Sequence, residues 1–118
     1  MKSELFEMLS NEIMMTAENK NLRGFINILS ENFKTNEKFY KIIVKGIPRE
    51  LIDEMKIEFV KQMRKMQLGI DDTKLYFIVD GLAGIYIDNL LGKISIDQNE
   101  LANKVYEIIT AIIGNQNN

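Results

Sequence analysis

The stretch from Asp72 to Ile113 constrains this chain most, because two apolar segments lie back to back there, Thr73 to Leu91 and a second after a break at Gly92 to Ile96. In the first, Leu75, Ile78, Leu82 and Ile85 recur at the spacing of one helix face. A second stripe holds Phe77, Gly81, Gly84 and Asp88. Glycines inside a helix cost about 1 kcal/mol each relative to alanine, so this pair predicts the close approach of another helix. The second segment opens with capping-box spacing, Ser95 with Gln98 or Asp97 with Glu100, and carries the stripe Leu101, Val105, Ile108, Ile109, Ile112. Both helices are apolar over more than half their circumference. A chain of 118 residues cannot cover all of that surface with its own remaining helices. We expect a homodimer, with Leu82, Gly84, Ile85, Asp88, Leu101, Val105, Ile108 and Ile112 at its interface. The competing reading makes these two helices the centre of a monomeric bundle.

The rest of the chain reads as four more helices, giving an all-α, six-helix bundle in one domain. Leu5, Leu9 and Ile13, flanked by Phe6 and Met8, form an amphipathic helix that ends in the polar run Glu18 to Asn21. Leu22, Phe25, Ile26, Leu29 and Phe33 form the next, with Arg23, Asn27 and Glu31 outside. Thr35 or Asn36 can cap a short third helix holding Phe39, Tyr40, Ile42, Ile43 and Val44. Gly46 suits the left-handed residue that follows it. Pro48 suits the first position of a fourth helix, whose inner face is Ile52, Met55, Phe59, Met63 and Met66 and which Gly69 should end. Residues 114–118 should fray.

Composition excludes several function classes. Fifteen basic residues face seventeen acidic ones, a net charge of −2, with no basic run. Nucleic-acid binding needs a basic patch or stripe, so this chain alone is not expected to bind DNA. It has neither cysteine nor histidine, which removes disulfides, thiolate nucleophiles, the usual zinc sites and the commonest proton shuttle. No catalytic residue, metal or cofactor is expected. The start, Met1-Lys2-Ser3-Glu4, leads into an amphipathic pattern and not a signal-peptide core. Asp80 and Asp88 interrupt the longest apolar runs, so no membrane span is expected, and a cytoplasmic protein follows.

The candidate ligand-contacting residues are apolar and aromatic. Met55, Phe59 and Met63 share a face, and Phe25, Leu29, Phe39, Tyr40 and Ile43 stand on the preceding helices. Methionine fills irregular space and adapts to varied apolar partners. Such a lining suits a small apolar or aromatic molecule, and it suits an ordinary core equally well. Asp80, one turn after Tyr76 in an otherwise apolar helix, could contact a ligand in that pocket, bond to a neighbouring helix or face water. Arg23, Asn27 and Arg64 could anchor a pocket rim or simply be solvated.

Several of these residues together resemble the C-terminal regulatory domain of the TetR family of bacterial transcriptional regulators. Tyr76-Phe77-Ile78-Val79-Asp80-Gly81-Leu82-Ala83-Gly84-Ile85 is similar to that family's penultimate helix. Asn89-Leu90-Leu91 stands where many members carry Trp-Leu, so the tryptophan is missing. Ser95 with Glu100-Leu101-Ala102 resembles the start of the last helix, and Lys2, Leu5 and Phe6 resemble the helix after the DNA-binding domain. The resemblance implies a connecting helix over residues 3–17, ligand-enclosing helices over 21–67, and a pair over 73–113 that joins a second subunit as a dimeric four-helix bundle. It implies an effector that shifts the population between two arrangements, which requires different affinities for the two. The helix-turn-helix that should precede Lys2 is absent from this sequence. Either the sequence begins at a domain boundary, or the protein is a stand-alone helical interaction protein that pairs with another regulator through residues 73–113.

Overall fold

The computed structural model describes residues 11, 13–46 and 49–114, without the side chains of Ile43 and Leu51. Leu5, Phe6, Met8, Leu9 and Pro48, with the tail 115–118, lie outside it, as do Lys2 and the rest of the expected connecting helix before residue 11. Among the described residues the chain is all helical, with no strand: α1 (13–18), α2 (Leu22–Thr35), α3 (Glu37–Gly46), α4 (Arg49–Lys65), α5 (Asp72–Leu90) and α6 (Gln98–Gly114). No described helix is long and apolar enough to cross a membrane.

Local chemistry sets most boundaries. The polar run after Ala17 closes α1: the amide of Asn21 donates to the carbonyl of Thr16 at 2.8 Å, that of Lys20 to Ala17 at 3.0 Å, and Lys20 takes the left-handed conformation between them. Asn21 then caps α2, its side-chain oxygen accepting from the Gly24 amide at 2.9 Å. A Cβ on Gly24 would stand 2.5 Å from the side-chain nitrogen of Asn21, so the cap and the glycine require each other. Asn36 holds the position before α3, its carbonyl accepting from the Tyr40 amide at 3.0 Å, but its side chain serves α2. Its amide and its side chain both donate to the carbonyl of Asn32, finishing α2. Asp71 caps α5 and Asp97 caps α6, so the Asp97 alternative holds over Ser95.

Three glycine expectations change. Gly46 is the last residue of α3 and is not left-handed. Helix α4 ends at Lys65, four residues before Gly69, because the amides of Met66 and Gln67 bond only three residues back and Gln67 itself is left-handed. Gly69 is left-handed further along the connection. Gly114, expected in the fraying tail, closes α6.

The core lies where α1, α2, α4, α5 and α6 meet, with Tyr40 of α3 at its edge. Helix α2 packs against α6 and α3, while α5 packs against α4, α3 and α6. Phe25 of α2 meets Phe59 of α4 edge to face at 6.0 Å. Phe33 lies between Tyr40 and Tyr86, ring centroids 4.6 and 5.2 Å away, tying α2 to α3 and α5. Such aromatic pairs add about 0.5–1.5 kcal/mol beyond the area they bury. The hydroxyl of Tyr86 is satisfied inside the core by Ser30, and that of Tyr40 donates to Asn32 at 2.6 Å. Burial pushes the Tyr40 phenol up to about 12 and raises that of Tyr86, against which the Ser30 hydrogen bond works.

Candidate functional site

The site begins with the turn between α5 and α6. Gly92 is left-handed and closes α5, its amide donating to Asn89 and that of Lys93 to Asp88. Asn89 spans the break: its side-chain nitrogen donates to the Ile96 carbonyl at 2.9 Å, and its oxygen accepts from the Ile96 amide at 3.0 Å. This pair of bonds fixes Ile96 at the mouth of an apolar groove of about 290 Å³ between α5 and α6. Phe77, Ile78, Gly81, Leu82 and Ile85 form one wall, and Leu101, Val105, Ile108, Ile109 and Ile112 the other, with Lys104 at the edge.

Six of the eight expected interface residues line this groove, namely Leu82, Ile85, Leu101, Val105, Ile108 and Ile112. Leu82, Leu101 and Val105 form its buried floor. Phe77 and Ile108 rise from it 73% and 59% exposed, an exposure matched off the groove by Ile42 and Ile57. Gly84 and Asp88 lie off the groove, and Asp88 sits 3.9 Å from Lys93. Among the described residues no helix approaches the glycines closely, since a Cβ at Gly81 or Gly84 would meet nothing within 4 Å. Phe77 and Gly81 were legible as a stripe of α5. Their place opposite Ile108 required the turn.

The candidate ligand-contacting residues divide between core and surface. Phe25, Leu29, Tyr40, Phe59 and Met63 are buried core, and Met55 packs at its margin. Phe39 and Tyr76 are exposed at 40% and 49%. Asp80 faces water beside Lys56, 3.4 Å away, and is not enclosed with the aromatic residues. The side chain of Ile43 is outside the described structure. Of the polar anchors, Arg64 pairs with Asp72 at 3.2 Å.

Arg23 and Asn27 stand elsewhere, in a second cleft of about 290 Å³ between α2 and α6 that also holds Ser30, Glu31, Asn99, Ala102 and Asn103. The Arg23 guanidinium donates to the Asn103 side-chain oxygen and lies 4.8 Å from the Tyr106 ring centroid. The sequence signal for this cleft was faint. Asn99 and Asn103 are one turn apart on α6, but only packing shows that this face meets Arg23. Among the described residues no group of three or more metal-ligating side chains comes together. Comparisons with protein-family models, curated proteins and solved structures found no match to this chain.

Proposed function

We propose that this chain is a homodimerising regulatory domain, pairing through the α5–α6 groove and responding to a small apolar or aromatic effector held by the middle helices. One observation carries the pairing: Phe77 and Ile108 project, largely exposed, from a groove otherwise lined by apolar side chains. A two-fold pair places the same patch on both copies, so each projecting Phe77 and Ile108 finds an apolar wall on its partner. Gly81 and Gly84, open on the same helix, leave room for a partner helix to approach.

The effector role rests on the resemblance of residues 73–113 to TetR-type regulatory domains, and on a methionine and aromatic core between α2 and α4 that would have to part to admit a ligand. Met63, Phe59 and Phe25 meet there, and methionine repacks at low cost. An effector that binds one packing of α2 and α4 better than another would shift the population between them. DNA reading would belong to a separate head on the same polypeptide or on a partner.

Native mass spectrometry of the purified protein tests both parts. A species of twice 13.7 kDa is expected, with any retained effector appearing as added mass that Phe59→Ala removes without splitting the pair, whereas unfolding of Phe59→Ala would make that face core and not pocket. A monomer at all concentrations overturns the pairing. A complex with a different protein in place of the second copy replaces it with the reading of a partner for another regulator.

A further inference from the structure

The cleft between α2 and α6 has a charge arrangement that neither the pairing groove nor the aromatic lining uses. Arg23 is half-buried, held by a neutral acceptor, Asn103, and by the face of Tyr106. Neither partner neutralises it, and no carboxylate lies within 4.0 Å of it among the described residues. Glu31, on the same cleft, likewise has no ion-pair partner there. The same cleft is lined by Asn27 and Asn99, which carry side-chain amides. An amide offers both a donor and an acceptor, the complement of a peptide group.

We propose that this cleft binds a short peptide with free termini, its carboxylate on Arg23, its ammonium toward Glu31 and its peptide groups on the asparagine amides. Length supports the class. Arg23 and Glu31 are eight positions apart on α2, about 12 Å along a helix rising 1.5 Å per residue, and three extended residues span about 10 Å. Arginine suits the carboxylate because its planar fork meets both oxygens. Asn103 and Tyr106 hold the fork in place before binding, which lowers the ordering cost of the complex. The proposal is independent of the pairing and effector readings, because none of these groups lines the α5–α6 groove or the methionine face.

The test is a titration of the isotopically labelled full chain with triglycine, following the Arg23 Nε–H and the Asn27, Asn99 and Asn103 side-chain amides by NMR. Saturable shifts at these groups are expected. R23Q and E31Q with free triglycine should each bind about tenfold more weakly, the scale of one charge-assisted hydrogen bond, and triglycine acetylated at its N-terminus and amidated at its C-terminus, which loses both charges, about a hundredfold more weakly. Absence of saturable shifts overturns the proposal, and so does equal binding of the capped peptide. Should R23Q lose its fold with its tether to α6, E31Q and the capped peptide decide, because Glu31 makes no described tether.

Discussion

Ile108 and Ile109 are consecutive residues of α6 with opposite surroundings, 59% and 3% exposed, and their alanine variants separate pairing from folding. Full burial of an isoleucine side chain contributes about 1.5–3 kcal/mol. With 59% of Ile108 still exposed in the single chain, closing the groove against a second copy adds about 1–2 kcal/mol per protomer. Two copies lose about 2–4 kcal/mol in Ile108→Ala, so the dimer dissociation constant should rise by about 30- to 800-fold. The stability of the separated chain should change by under about 1 kcal/mol, as for most exposed positions. Ile109→Ala instead opens a core cavity costing about 2–5 kcal/mol, which lowers the melting temperature of the monomer itself. Sedimentation equilibrium over a dilution series, with thermal unfolding recorded below the dissociation constant, measures both quantities. An Ile108→Ala dimer as tight as the wild type would refute the groove as the pairing surface. A loss of monomer stability equal to that of Ile109→Ala would show that Ile108 acts through the fold.

Three further outcomes follow from the geometry. Gln62 is 1% exposed, and its side-chain oxygen has no partner among the described residues while its nitrogen donates to Glu58 at 3.0 Å; Gln62→Met should therefore stabilise the chain by about 1–2 kcal/mol, and a lower denaturant midpoint would contradict this. Gly24→Ala should destabilise by about 1 kcal/mol despite alanine's helix preference, because its Cβ would displace the Asn21 cap; an unchanged or raised midpoint would show that the cap side chain simply moves aside. Tyr40 titrates near 12 in the fold and near 10 when unfolded, so its neutral form is favoured by folding. Its contribution is fully present below pH 10 and is lost as the pH rises toward 12. Tyr40→Phe should flatten the loss of stability in that range, and an identical alkaline profile would dissociate Tyr40 from it.

Periodicity and cap chemistry were enough to read six helices from the sequence, because both act within a few residues: Asp97, one of two candidates, caps the helix it precedes, and Phe25, Leu29 and Phe33 recur on the inner face of α2, while the Asp71 cap of α5 went unread. The same local rules gave the α6 stripe from Leu101 to Ile112. They misplaced the end of α4, because Gln67 accepts a left-handed conformation that sequence reasoning reserves for Gly69. Whether Phe59 and Met63 line a pocket or a core is not a local property, and packing placed them in the core against Phe25. Asp80 reads as conspicuous within an apolar helix, yet it points to water beside Lys56, because only the rotation of α5 against α4 decides which side of a helix is covered. The α5–α6 groove and the Arg23 cleft depend on contacts between residues far apart in the chain. Sequence spacing determined which residues share a helix face, and tertiary packing alone decided which faces meet and which charges they leave unmatched.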